Sequence, residues 1–251
     1  MNKKEFSELQ TQIASLLIEY ENFCKKGYQL DLKYNYTFCE LLMKEEKIKF
    51  ENNLIIGVCT MLADKKSMEE VDAFIQKQKN EYNALFVRHS QKVTNAAQVL
   101  KAMKELPTEI IKLLEDSFSE YVLNYHPAVK YITSEEEGKL YEYVRKAYYD
   151  NNYSAFKEML ELNKNILKPA DLKEEQYVEA ASYYYSIMVE MNKDVSAKRT
   201  KYPYNVEEIL ESKISIASYE ADIRTRITKL TGANKALHKD LIEVYGEDII
   251  I

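Results

Sequence analysis

The chain has 251 residues and a net charge of −6, and 30% of its residues are charged. Only 5 glycines and 4 prolines occur, which favours long helices over many short strands. The acidic balance argues against a general nucleic-acid-binding role, and the 3 cysteines form no CxxC pair that would indicate a zinc site or a disulfide framework.

The first sixty residues show helical periodicity throughout. Apolar residues recur at three- and four-residue steps over Lys3–Lys26, which predicts a first helix that ends at Gly27. A second helix is predicted over Leu30–Ala63, where Gly57 indicates close packing or a bend. β-branched residues within 55–58 leave a short strand open as an alternative.

A third long helix is predicted to begin at a capping box. Ser67 can bond an orphan backbone amide while Glu70 reaches back, and the apolar stripe continues to about Leu106. The nearly heptad spacing of this stripe predicts an antiparallel coiled coil with the second helix. His89 falls on the stripe, where a hydrogen-bonded or half-exposed histidine is a better interpretation than a metal ligand.

Two further helices are predicted on either side of a proline-containing break. Pro107 suits the first position of the earlier helix, which should end in the break 125–128 because a proline disfavours helical angles in the residue before it. Thr133 or Ser134, each with an acid three positions on, can cap the later helix, which ends in the pair 147–148.

The remaining residues are also predicted to be helical. A short helix follows the break 150–152 and ends before Pro169, another begins at Asp171, and a final long helix is capped by Asn205. The prediction is an all-α protein with long antiparallel, coiled-coil-like helices flanking a helical hairpin. Its predicted segments are 1–106 (long N-terminal helices), 107–168 (hairpin) and 169–251 (C-terminal helices).

The stretch 114–148 resembles a J domain, the module of DnaJ co-chaperones. Its first helix runs into His126-Pro127 as the second helix of a J domain runs into a His-Pro-Asp tripeptide. The family's third helix has aromatic, aliphatic and Ala-Tyr positions that are similar to Tyr141, Val144, Ala147 and Tyr148. The long flanking helices resemble bacterial proteins in which a divergent J-like hairpin is embedded. The resemblance implies a helical hairpin and a protein partner connected with the chaperone system.

The hairpin departs from the J-domain pattern in its charges. J domains stimulate ATP hydrolysis by a DnaK-type chaperone through the Asp of the tripeptide and a basic second helix. Here Ala128 stands at the Asp position, and Lys112 is the one basic residue among four acids on the helix. Because like charges across an interface cost on the order of several kcal/mol, stimulation of the ATPase is not expected. The residues that a J-like contact would use are Lys112, Tyr125, His126, Pro127 and Ala128.

No sequence pattern predicts catalysis, a metal or a cofactor. The glycines are scattered, and neither a Glu-x-x-His pair nor HExxH occurs. A spatial cysteine–histidine arrangement stays open, although the three cysteines lie on apolar stripes and are better interpreted as core thiols. The basic residues of 198–201 are too few to predict nucleic-acid binding.

We therefore expect a non-enzymatic interaction or scaffold protein with a degenerate J-like module. The alternatives are a co-chaperone with an atypical tripeptide and, less favoured, a helical enzyme. The longest apolar run, Leu54–Ala63, is too short to span a bilayer, and the N-terminus enters an amphipathic pattern directly. We expect a cytoplasmic protein that binds protein partners or a second copy of itself, and neither nucleic acid nor a membrane.

Overall fold

The computed structural model describes residues 1–169 and 171–246, and no strand occurs in these ranges. The prediction of an all-α fold is therefore confirmed. The helices are α1 (Lys3–Ala63), α2 (Met68–Lys104), α3 (Thr108–Tyr125), α4 (Pro127–Lys130), α5 (Glu135–Tyr149), α6 (Tyr153–Leu162), α7 (Tyr177–Lys198), α8 (Glu207–Leu210) and α9 (Lys213–Tyr245). Short 3₁₀ turns at Glu174–Gln176 and Tyr204–Val206 precede α7 and α8.

Helix α1 is continuous over 61 residues, so the predicted helix end at Gly27 is wrong. A β-carbon at Gly27 would overlap the ring of Tyr204. Phe23, one turn earlier in α1, stacks on the same ring with centroids 4.4 Å apart. Gly27 therefore allows the close approach of an aromatic ring and does not end the helix.

The second glycine of α1 is also a close-packing position, which was one of the two predictions for Gly57. A β-carbon there would lie 2.6 Å from the ring of Phe74 on α2. The backbone stays helical through 55–58, so the alternative of a strand is wrong. Three β-branched residues are tolerated because the helix around them is long and well packed.

The predicted caps of α2 and α5 are confirmed, whereas the helix predicted to begin at Asp171 begins at Tyr177. The amide of Glu70 donates to Ser67 Oγ at 3.3 Å, and the amide of Ser67 donates to Glu70 Oε2 at 2.9 Å. Ser134 and Glu137 form the same reciprocal pair at the start of α5. The last long helix begins later than predicted, because Ser212 caps it in place of Asn205.

The described chain divides into two compact units. Unit 1 consists of Met1–Leu32 and Gln98–Glu207, and unit 2 of Lys33–Ala97 with the chain from Glu208 onwards. Each unit combines distant parts of the chain, whereas the three segments predicted from the sequence are continuous. The boundaries of those segments stay a prediction.

Each unit has its own apolar core. In unit 1, the first half of α1 packs with α3 to α7, and Phe6 stacks on Tyr177 with centroids 4.3 Å apart. In unit 2, the second half of α1 packs with α2 and α9 around Ile55, Val71 and Leu241. Among the described helices, none combines the length and the apolar content needed to cross a membrane.

Candidate partner-binding sites

Helices α3 and α5 pack against each other through their apolar stripes. Leu114, Phe118 and Tyr121 of α3 are buried, and Phe118 stacks face to face on Tyr148 of α5 with centroids 3.8 Å apart. Helix α6 completes this packing with the buried ring of Phe156. The helical faces predicted from the periodicity of 114–148 therefore form the interior of unit 1.

His126 is buried and acts as the N-cap of α4. Its Nδ1 accepts a hydrogen bond from the amide of Ala128 at 3.0 Å. Because Nδ1 is the acceptor, the proton of the neutral ring lies on Nε2, which has no hydrogen-bond partner among the described residues. Tyr141 lies edge-on to the imidazole with ring centroids 4.6 Å apart. Burial, together with the nearby charge of Arg145, lowers the pKa of His126 to about 3.

The five residues predicted to form a J-like contact differ in their exposure to solvent. Lys112 is exposed on α3, Tyr125, Pro127 and Ala128 are half-buried, and His126 is buried. Along a helix, the fourteen positions from Lys112 to His126 correspond to about 21 Å. A partner could reach Lys112, but the imidazole of His126, the first residue of the tripeptide, faces the protein interior.

A buried carboxylate on α1 is the largest polar feature that the sequence did not indicate. Tyr141 donates to Glu21 Oε1 at 2.7 Å, and Tyr149 donates to Glu21 Oε2 at 2.6 Å. Arg145 Nε lies 3.2 Å from the same Oε2. Burial, and after it the charge of Glu21, raises the pKa of both tyrosines, so they stay protonated donors at neutral pH. Both carboxylate oxygens accept hydrogen bonds, and the cluster joins α1 to α5.

An apolar groove of about 350 Å³ lies between α1 and α2 in unit 2. Phe50 of α1 stacks on Tyr82 of α2 with centroids 4.4 Å apart. The next apolar residues of α2, Leu85 and Phe86, remain 55% and 47% exposed. The apolar lining comprises Cys39, Leu42, Met43, Phe50, Tyr82, Leu85 and Phe86.

The groove exists because most of α2 lacks a covering partner. Val71, Ile75 and Ala96 are its buried residues, so the twenty positions between Ile75 and Ala96 contribute none to a core. A helix of this kind normally buries its apolar stripe against a neighbour. Here part of the stripe stays open to solvent beside α1.

The rim of the groove is acidic. Glu46, Lys49 and Glu81 lie along it, and Lys49 is paired with both Glu45 at 3.2 Å and Glu46 at 2.8 Å. Burial, and after it the charges of Glu51 and Glu46, raises the pKa of Tyr82 within the groove. Two glutamates against one lysine leave the lining of the groove with a small excess of negative charge, which favours a basic ligand.

Cys39 and His89 both line the groove, but no hydrogen bond joins them among the described residues. The Cys39 thiol donates to Met43 Sδ at 3.3 Å, and burial raises its pKa. A nucleophilic cysteine needs the opposite shift, because the thiolate is the reactive form. Among the described residues, no group of His, Cys, Asp or Glu side chains has the geometry of a metal site.

Two of the cysteines match the core thiols expected from the sequence, since Cys24 lies in the core of unit 1 and Cys59 packs against the core of unit 2. All three are free, and Cys24 alone is fully buried, whereas Cys39 and Cys59 are half-buried.

The apolar stripe through Tyr82, Leu85 and His89 was visible in the sequence. The sequence could not show that this stripe is uncovered, because periodicity identifies the apolar face of a helix but not the element that packs on it.

Comparisons of the chain with protein-family models, with curated proteins and with solved structures found no match. Function must therefore be inferred from the geometry of these sites.

Proposed function

We propose that the chain is a non-enzymatic interaction protein whose α1–α2 groove binds an amphipathic helix of a protein partner. The observation that carries the proposal is the exposure of Leu85 and Phe86 beside an apolar lining with an acidic rim. A groove of this kind accepts apolar side chains at positions i, i+3, i+4 and i+7 of a helix. The rim favours a partner helix with lysine or arginine beside its apolar face.

A synthetic peptide tests this proposal without knowledge of the natural partner. The probe is a labelled amphipathic helix with leucines at i, i+3, i+4 and i+7 and lysines on both flanks. We expect saturable binding to the full chain in fluorescence anisotropy, with Kd in the range of about 1–100 µM. A peptide with glutamates in place of the lysines should bind at least about tenfold more weakly.

A matched pair of variants locates the binding site. Phe86→Glu places a charge in the groove, and we expect it to weaken binding of the lysine peptide at least about tenfold. Val87→Glu is the control, because Val87 is exposed on the same helix but does not line the groove. Equal loss in both variants, or equal binding of the lysine and glutamate peptides, would contradict the proposal.

The proposal includes a degenerate J-like module that does not stimulate a DnaK-type ATPase. Two observations support this part: His126 is used as a buried helix cap, and Ala128 has no carboxylate. Addition of the full chain should leave the ATPase rate of a DnaK-type chaperone unchanged. A several-fold increase would favour the alternative, a co-chaperone with an atypical tripeptide.

A further inference from the structure

Helix α7 carries an uncharged, exposed seam beside the face through which it packs. Tyr177, Ala180, Ala181 and Tyr184 face the core of unit 1. On the other side, Val178, Tyr185 and Val189 are 63%, 58% and 52% exposed. We define the seam by six residues, all of them exposed: Val178, Ser182, Tyr185, Val189, Asn192 and Ser196.

The spacing of this seam alternates between four and three residues over its whole length. That alternation is the heptad pattern by which one helix packs along another over several turns. The seam extends for about 27 Å at the rise of an α-helix. Among the described residues, nothing packs over it, so the seam is open to a second helix.

We propose that α7 pairs with α7 of a second copy of this chain, in an antiparallel arrangement about a two-fold axis near Ile187. In this register Tyr185 faces Val189 of the other copy. On the other side of the two-fold axis, Val189 faces Tyr185 of the other copy. Ser182 then faces Asn192, and the two side chains can form a hydrogen bond, whereas Val178 faces Ser196 at the ends of the seam. A two-fold interface of this kind closes on itself and forms a dimer without further growth.

The charges beside the seam fit this arrangement. Glu179 and Lys193 are both exposed and occupy the same flanking position two heptads apart. In the antiparallel register, Glu179 of each copy lies within reach of Lys193 of the other, which gives two opposite-charge pairs. Lys193 forms no ion pair with any described residue. Glu179 lies near Tyr131 of its own chain and raises the pKa of that tyrosine, and its carboxylate has lone pairs enough for the lysine as well.

A parallel pair of α7 helices lacks this complementarity. The flanking positions that meet in a parallel pair combine Ala181 with Ser186 and Met188 with Lys193, none of which are opposite charges. The charge pattern therefore favours a second copy in the antiparallel orientation. Because only three of the six seam residues are large and apolar, we expect a weak dimer with Kd of roughly 10–100 µM.

Sedimentation equilibrium of the full chain at concentrations up to about 200 µM measures this association. We expect a monomer–dimer equilibrium that Val189→Glu weakens at least about tenfold, because the new carboxylate faces Tyr185 of the other copy. Val244→Glu on α9 is the matched control, since Val244 is also exposed and lies off the seam. A chain that is monomeric throughout this range, or a dimer weakened equally by both variants, overturns the proposal.

A charge exchange tests the orientation. Glu179→Lys alone places like charges together at both ends of the seam and should weaken the dimer about three- to tenfold. The double variant Glu179→Lys/Lys193→Glu restores opposite pairs in the antiparallel register and should regain most of the wild-type affinity. A dimer that the double variant does not restore overturns the antiparallel register. The groove in unit 2 plays no part in this test, so failure here leaves the peptide-binding proposal standing.

Discussion

A histidine buried in its neutral form makes folding depend on pH, and His126 is placed in this way. Its pKa is lowered to about 3 in the folded chain, against about 6.5 when unfolded. Between these values the unfolded chain binds the extra proton, so the stability contributed by this residue is lost as pH falls below about 6.5. The free energy of unfolding should therefore fall by up to about 1.4 kcal/mol for each pH unit below this value.

Replacement of His126 by asparagine should remove this slope and keep the cap. The asparagine side chain can accept from the amide of Ala128, and it does not titrate. Urea unfolding from about pH 4.5 to pH 6.5 should therefore give a smaller loss of stability in His126→Asn than in the wild type. The exposed His89 supplies the control, since His89→Asn should keep the wild-type slope. Identical slopes in all three proteins would show that His126 is not buried neutral.

The carboxylate of Glu21 gives a second prediction at the residue scale. Glu21→Ala removes the acceptor of Tyr141 and Tyr149 and leaves the half-buried Arg145 with Glu142, 3.5 Å away, as its remaining ion-pair partner. We expect a loss of about 3–5 kcal/mol in the free energy of unfolding. Glu19→Ala on the exposed side of the same helix should change it by less than about 0.5 kcal/mol. Chemical denaturation of both variants checks the difference.

At the scale of the helix, replacement of two glycines by alanine should change the free energy of unfolding in opposite directions. Gly27→Ala improves helix propensity but drives a methyl group into the ring of Tyr204, so we expect a net loss of about 1–3 kcal/mol. A β-carbon at Gly232 in α9 meets no atom within 4 Å. Gly232→Ala should therefore gain about 0.5–1 kcal/mol from helix propensity alone. Urea unfolding measures both values, and a gain at Gly27 would mean that Tyr204 does not pack there.

The same glycine shows which signals in the sequence predicted the fold. Ser67 and Ser134 accept hydrogen bonds from the amides of residues three positions on, and such local patterns predicted the starts of α2 and α5 correctly. Gly27 contacts Tyr204, which lies far away in sequence, and no local pattern distinguishes that role from a helix end. The fold class was accessible from periodicity, whereas the joining of distant stretches into two units was not.

The candidate sites were predictable only in part, for a related reason. The sequence identified Tyr82, Leu85 and His89 on one stripe of α2, but exposure depends on whether another element covers the stripe. For His126 the motif directed attention to a contact with a partner. The structure places its imidazole against Tyr141, a contact inside the chain that depends on the packing of α5.

At the scale of the whole molecule, the groove and the α7 seam belong to different units, and the two proposals assign them different partners. A chain that self-associates through α7 and holds a helix in its groove presents two binding sites per dimer. Such an arrangement suits a scaffold, because a ligand with two helices gains affinity when both grooves of one dimer are engaged. Neither surface supplies a residue to the other.

This division predicts that the two activities separate. Val189→Glu, which disrupts the seam, should leave the Kd of the single lysine peptide within about twofold of the wild-type value, at one peptide per chain. Two such peptides joined by flexible glycine–serine linkers of graded length should bind the wild-type dimer at least about tenfold more tightly than one peptide does. That gain should disappear in Val189→Glu, because a monomer offers one groove. Fluorescence anisotropy with both ligands measures these effects, and a change of more than about fivefold for the single peptide would show that the surfaces are coupled.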